Sequence, residues 1–211
     1  MPARLPNGLK REWSALKAIN HKFGRSHYDN MQNLEQYNKY VPKDVAPLLD
    51  KSHILDVEIG DVKKFSSNIV NVNFEYNGYD NFDKYIETTS GIYNIIYENA
   101  NRYEGTVISH DADFTDSKIL FGDDINKSVD FAINVLARAR ELQDSTGRIV
   151  MIDANTCRVG MVGCAKRALP FLHYDNEMIF NKYRAYLRQA GVMLVLTENA
   201  VNKCDDKYTF R

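Results

Sequence analysis

The chain has 211 residues, of which 44% are hydrophobic, and this allows one domain of ordinary size with a substantial core. Its 27 lysine and arginine residues nearly balance its 28 aspartate and glutamate residues, which excludes a protein that binds nucleic acid through its overall charge. Three cysteines without zinc-type spacing argue against a disulfide framework and a structural zinc site. No apolar run approaches the roughly 20 residues that cross a membrane. We therefore expect an intracellular protein in a reducing compartment, or one incorporated into a particle assembled there, with no membrane partner.

A basic amphipathic helix is predicted near the start of the chain, because apolar residues recur at helical spacing from residue 9 to residue 23. A second helix follows it and ends before Pro42. Residues 1–50 are therefore predicted to form an N-terminal helical arm that precedes a sheet domain at residues 51–211.

This arm has two interpretations. Its helices can pack on the body of the same domain, or they can dock on a partner subunit or on phosphates. The second interpretation predicts a homo- or hetero-oligomer and allows nucleic-acid contact through the basic helix. The predicted interface residues combine the apolar stripe with flanking positive charge, and they are Lys10, Trp13, Lys17 and Phe23.

The middle of the chain changes periodicity. Residues 54–59 contain a short apolar run, and apolar and polar residues alternate strictly from Val70 to Asn77, which predicts a half-buried strand. Asn77 and Gly78 predict a turn after that strand. The apolar spacing between residues 80 and 101 predicts one or two helices, with Ser90 as a candidate cap for the second.

Strands and helices alternate in the second half of the chain. This order predicts an α/β or α+β fold, in which a mixed sheet has flanking helices. Continuous apolar runs predict two strands in the sheet interior, at 149–152 and 192–196, because such runs are covered on both faces. The other predicted elements are a strand at 106–109, a short apolar segment at 119–121, and helices at about 126–143 and 175–190.

Acidic residues follow the strand at 106–109, in the stretch "GTVISHDADFTDSK". If the predicted strands are parallel, their carboxyl ends share one edge, where open α/β sheets bind ligands. Oxygen ligands at that edge suit Mg or Mn and a phosphate. The predicted site has a general base and four metal ligands, namely His110 with Asp111, Asp113, Asp153 and Glu198. The simpler interpretation is that these residues are solvated turn and cap residues.

Two further motifs carry weaker signals. The stretch "RVGMVGCAKRAL", residues 158–169, places two glycines ahead of a candidate helix but matches neither a dinucleotide-binding nor a Walker pattern. Small residues there are most simply explained by close packing. Cys157 follows a predicted strand, where a nucleophile is conceivable, but a free cysteine is more often a small buried apolar residue.

The sequence supports two functions from different classes. Thirteen tyrosines, several among asparagines, suit a surface that other protein covers, and no complete set of nucleophile, base and orienting group is evident. The favoured interpretation is therefore a non-catalytic assembly or interaction subunit of a larger complex, including a structural protein of a virus or phage particle, without a cofactor. The alternative is a divalent-metal-dependent enzyme that acts on a phosphate ester or nucleotide at the acidic rim.

Overall fold

The computed structural model describes residues 44–76, 81–110, 116–142, 145–164 and 167–209. These residues form a mixed sheet of six strands flanked by helices, which confirms the predicted fold class. The arm predicted at residues 1–50 lies almost entirely outside the described residues. So do the four residues of its predicted interface, Lys10, Trp13, Lys17 and Phe23.

The elements alternate between strands and helices along most of the chain. The strands are β1 (Val62–Tyr76), β2 (Thr106–His110), β3 (Asp116–Phe121), β4 (Ser145–Cys164), β5 (Arg167–Tyr174) and β6 (Leu194–Leu196). The helices are α1 (Val45–Leu48), α2 (Phe82–Arg102), α3 (Ile125–Ala139), α4 (Glu177–Gln189) and α5 (Glu198–Val201), with a 3-10 turn at Ile54–Asp56. None of the described helices combines the length and the apolar character that a membrane crossing requires.

Side-chain caps fix where the two long helices begin. The side chain of Asn81 accepts a hydrogen bond from the backbone N–H of Lys84, so α2 begins there and continues through Ser90 as one helix. Asp124 caps α3 in the same way by accepting from the N–H of Asn126. Ser90 is therefore not a cap, and of the one or two helices predicted between residues 80 and 101 the structure has one, at residues 82–102.

The strand order is β2-β3-β1-β4-β5, and every neighbouring pair in that order is antiparallel. β6 is the exception, because it pairs in parallel with residues 150–152 of β4. In the glycine-containing stretch, residues 158–164 lie in β4 and residues 167–169 begin β5, so the candidate helix after the two glycines is wrong. Gly160 does serve close packing, because a Cβ there would lie 3.1 Å from the carbonyl oxygen of Asp61.

The hydrophobic core lies between one face of the sheet and the helices α2 and α3. Val70, Val72 and Phe74 alternate along β1 toward this side, which we call the helix face. Phe131 of α3 is fully buried, and its ring lies 5.1 Å from that of Phe121 in β3. The alternation in β1 was therefore a correct indication of a strand with one apolar face.

One of the two interior strands was predicted wrongly. Residues 149–152 are buried within β4, as expected. The run at 192–196 yields only the three-residue strand β6, whose residues are all partly exposed and which pairs with β4 on one side. Gly191, with a φ of 74°, follows the end of α4, and Thr197 caps α5, so only residues 192–196 are left between the two helices for a strand.

Candidate functional site

The sheet face opposite the helix face is polar, and we call it the open face. Asn71 of β1 pairs with Lys118 of β3, and Asn73 pairs with Asp116, so these four side chains lie on the same side of the sheet. Asn71, Asp116 and Lys118 line a cavity of about 740 Å³, which is within the range of about 300–1,000 Å³ typical of small-molecule sites. The described residues that line it are Asn71, Ser109, His110, Asp116, Lys118, Val162, Gly163, Leu169, Pro170, Phe171, Glu177 and Asn181.

Helix α4 is joined to the open face by ion pairs. Arg184 Nη1 lies 2.8 Å from Asp116 Oδ2, and Lys118 forms an ion pair with Glu177 at the start of the helix. The other carboxylate oxygen of Asp116 accepts a hydrogen bond from Asn73 Nδ2 at 2.6 Å. Charge-assisted contacts of this kind are geometrically specific. They position the acidic and basic side chains at one wall of the cavity.

A second arginine of α4 extends this network along β1. Arg188 Nη1 lies 3.0 Å from Glu75 Oε2, two residues beyond Asn73 on the same strand. Burial lowers the pKa of the Arg188 guanidinium, and the negative charge of Glu75 opposes that shift. The open face therefore holds two carboxylates and two guanidiniums from distant parts of the sequence.

Asn71, which lines the cavity, is hydrogen-bonded to the phenol of Tyr174 behind it. Asn71 is 1% exposed, and its Nδ2 donates to the hydroxyl oxygen of Tyr174 at 3.3 Å. Burial raises the pKa of Tyr174, so its hydroxyl stays protonated. Among the described residues, nothing donates to the side-chain oxygen of Asn71, and a buried acceptor of this kind is stabilised by a ligand donor or by water.

His110, the predicted general base, lies at the end of β2 and lines the cavity. Its Nδ1 is 2.7 Å from Ser117 Oγ, its Nε2 is 3.2 Å from the hydroxyl of Tyr97, and its ring centroid is 4.3 Å from that of Tyr93. Both ring nitrogens therefore have hydrogen-bond partners within the protein. Its role as a base stays a prediction.

The described strands do not form the edge on which the predicted metal site depended. Because β2, β3, β1 and β4 are successively antiparallel, β2 and β4 run in opposite directions, and the expected shared edge of carboxyl ends does not exist. Asp153 is fully buried within β4, and its carboxylate accepts from Thr197 Oγ1 at 2.7 Å and Asn176 Nδ2 at 2.9 Å. Glu198 is exposed in the first turn of α5. Asp111 and Asp113 lie outside the described residues.

The open face was missed by sequence reasoning, although part of its signal was present. The alternating Asn71, Asn73 and Glu75 were interpreted as the exposed side of a strand. Their pairing with β3 and with the arginines of α4 joins segments up to 113 residues apart, a contact that periodicity does not reveal. Across the described ranges, no three His, Cys, Asp or Glu side chains converge as a metal site of their own.

Cys157 is not placed for nucleophilic chemistry. It is 1% exposed within β4, and burial raises the pKa of its thiol to about 11. A thiol with such a raised pKa is protonated at neutral pH and therefore a weak nucleophile. The alternative interpretation of Cys157, as a small buried apolar residue, agrees with its burial in β4.

Comparisons with known proteins identify the fold. No protein-family model matches the sequence, and no curated protein matches it. A bacterial light-regulated adenylyl cyclase is similar in structure, with a TM-score of 0.70 and 14% sequence identity over 99% of this chain. This chain covers 62% of that cyclase, which is therefore the longer protein.

Two guanylyl cyclases have similar structures. The guanylyl cyclase Cya2 has a TM-score of 0.57 and 14% identity, over 72% of this chain and 83% of its own. The dimeric guanylyl cyclase domain of the RhoGC fusion protein from the aquatic fungus Blastocladiella emersonii has a TM-score of 0.51 and 9% identity, over 66% and 84%. The interpretation as a non-catalytic structural subunit of a virus or phage particle is therefore wrong. The fold of this chain is that of adenylyl and guanylyl cyclases.

Proposed function

We propose that the chain binds a purine nucleoside triphosphate in the cavity of the open face and cyclises it. The observation that carries this proposal is that a chain with the fold of adenylyl and guanylyl cyclases has a ligand-sized cavity lined by apolar residues together with charged and amide side chains. This proposal is a more specific form of the alternative from the sequence, a divalent-metal-dependent enzyme that acts on a phosphate ester or nucleotide.

The reaction forms one bond and breaks one. The 3′-oxygen of the ribose attacks the α-phosphorus, the bond from that phosphorus to the bridging oxygen breaks, and pyrophosphate leaves while the 3′-hydroxyl proton passes to a base or to solvent. Such a reaction depends chiefly on orientation and on neutralising phosphate charge. Lys118 lines the cavity and provides positive charge there, and Arg184 adds a guanidinium beside Asp116 of the cavity wall. The Lys118 ammonium lies 5.7 Å from the centroid of the Phe171 ring, and both residues line the cavity. This wall suits the purine ring of the nucleotide.

The open face fits a divalent cation that accompanies the nucleotide. Asp116 lines the cavity and offers oxygen ligands, and Mg is commonly bound by one or two carboxylates together with substrate phosphates. Mg or Mn supplies neutralisation of phosphate charge when bound. The guanidinium of Arg184, which now pairs with Asp116, then becomes available to the phosphates. Asp111 and Asp113 remain predicted as further ligands, so the interpretation without a cofactor is not supported.

We also propose that the chain functions as a homodimer, consistent with the expected oligomer. The charges that line the cavity within one chain are largely paired with each other, so a second copy would supply further phosphate contacts. Four large apolar side chains of α4 are exposed, and such patches mark protein interfaces. They are Met178, Ile179, Tyr183 and Tyr186. Replacing Met178 and Tyr186 with lysine should lower the dimer fraction measured by light scattering.

The test supplies the purified chain with ATP or GTP and with Mg or Mn, and measures cyclic nucleotide and pyrophosphate by chromatography. Lys118→Met should lower cyclic product by about tenfold or more, because it removes a charge from the cavity wall. Lys127→Met is the matched control, since Lys127 also pairs with a glutamate, Glu104, but lies on α3 outside the cavity. This control should retain the activity of the parent.

Three results would count against the proposal. A parent protein that binds neither ATP nor GTP rules out the nucleotide site. A parent that binds them but releases no cyclic product rules out cyclisation. Equal loss of activity in Lys118→Met and in the Lys127→Met control rules out a specific role for the cavity wall.

A further inference from the structure

Three basic side chains lie in one row across three neighbouring strands. Lys64 of β1 pairs with Arg158 of β4, which in turn pairs with His173 of β5. Residues paired directly across strands share a face of the sheet, so the three side chains lie next to one another. All three are exposed and line a depression of about 180 Å³. We call this set the basic row.

The basic row is unfavourable for folding on its own. Like charges directly opposite each other on neighbouring strands destabilise the pair. Among the described residues, no ion pair or side-chain hydrogen bond compensates the three side chains of the row. The adjacent Lys63, by contrast, is paired with Asp50. The side chains of the basic row therefore have N–H donors without a protein acceptor among the described residues. Residues paired across strands more favourably carry opposite charges.

The other groups in the depression are mostly neutral. The residues Asn155, Thr156, Cys157 and Tyr174 line it, together with Asp175. One carboxylate against Lys64 and Arg158 leaves a net positive charge. Neutral polar groups beside that charge can supply further hydrogen bonds to a bound anion.

We propose that the basic row binds a phosphate group, at a site separate from the nucleotide cavity. The guanidinium of Arg158 presents two N–H groups in a fork that matches two phosphate oxygens, while Lys64 adds an ammonium and His173 a ring N–H. A volume of about 180 Å³ lies below the range of about 300–1,000 Å³ of sites that enclose whole small molecules. The ligand is therefore inorganic phosphate or the terminal phosphate of a larger molecule.

Thermal unfolding of the full chain in a phosphate-free buffer tests this site. Inorganic phosphate should raise the Tm by mass action more than chloride does at equal ionic strength. Arg158→Gln should lose most of that rise. Without phosphate, the Tm of Arg158→Gln should be no lower than that of the parent, because the substitution relieves repulsion within the row. If Arg158 had only a structural role, its replacement would lower the Tm. Lys64→Gln is the second variant if Arg158→Gln does not fold.

Two control variants locate the response. Arg138→Gln removes an exposed arginine that pairs with Glu98 on the helices, and it should keep the phosphate response. Lys118→Met alters the nucleotide cavity and should keep the response as well. The Tm of Lys118→Met is also measured with adenosine monophosphate. If adenosine monophosphate raises the Tm more than inorganic phosphate does, the site binds phosphates of larger molecules. If it raises the Tm equally or less, the site binds the free ion.

The proposal is overturned if the parent responds to phosphate no more than to chloride. It is also overturned if Arg158→Gln keeps the full response, or if Lys118→Met abolishes it, because the ion would then occupy the nucleotide cavity. Since the row and the cavity are probed by different variants and by different readouts, failure of the phosphate site leaves the test of cyclisation intact.

Discussion

The two faces of the sheet differ in what holds them together. On the helix face, Val70, Val72 and Phe74 of β1 are buried against α2 and α3 in a continuous apolar core. On the open face, Asn71 and Asn73 from the same strand meet charged side chains and a cavity. One strand thus contributes stability with every second residue and candidate chemistry with the residues between them, because side chains alternate in direction.

The helices on the two faces show the same contrast. α3 buries eight of its residues, including Phe131 and Val135, so its position is fixed by apolar packing. In α4, which the structure describes completely, Phe180 is the only buried residue, and the helix is joined to the sheet by Arg184 and Arg188. A helix positioned by ion pairs can exchange its partners when an anionic ligand binds, whereas a helix positioned by packing cannot.

The largest expected effect is on the helix face. Phe131→Ala should lower the free energy of unfolding by about 3–5 kcal/mol, because it leaves a cavity in a core where Phe131 is fully buried against Phe121. Urea denaturation followed by circular dichroism measures this. Ile133→Ala, on the same helix but 45% exposed, is the control and should cost less than about 1 kcal/mol. Similar losses in both variants would contradict the assignment of the core to this face.

A smaller effect on stability, with a larger effect on activity, is expected on the open face. Asp116→Asn should lower the free energy of unfolding by about 1–3 kcal/mol, because Arg184 loses its charged partner. Cyclic product should fall to a much greater extent, since the same carboxylate is a proposed cation ligand. Glu104→Gln, which disrupts the exposed pair with Lys127, should change stability by less than about 1 kcal/mol and leave activity unchanged. An Asp116→Asn variant with parental activity would exclude Asp116 from the reaction.

The smallest expected effect is the dependence of stability on pH that Cys157 of β4 contributes. Burial raises the pKa of Cys157 to about 11 in the folded chain from 9.0 for an ordinary thiol, so the folded state holds this proton more tightly. Its contribution to stability is therefore present below pH 9 and declines as pH rises to about 11. At pH 10 the loss should be about 1 kcal/mol relative to pH 8. Urea midpoints of the parent and Cys157→Ala at both pH values measure the difference, and parallel behaviour would show that Cys157 does not contribute.

The sequence predicted the class of fold and most of its elements because their signals are local. Alternation predicted β1, the helical spacing after residue 125 predicted α3, and a continuous apolar run predicted the buried part of β4. These features depend on residues close together in the chain. The same local signals gave no direction to the strands, so the parallel arrangement on which the acidic rim depended was wrong for β2 and β4.

Tertiary structure decided which residues form the candidate site. The stretch after β2 attracted attention by its acidity, yet the described cavity depends on Asp116 and Lys118 meeting Glu177 and Arg184 across more than 50 residues. The basic row likewise exists only because antiparallel registers align Lys64, Arg158 and His173, which the sequence separates widely. Periodicity reports which face of an element is apolar, but it contains no information about strand register, and register determines which polar side chains meet.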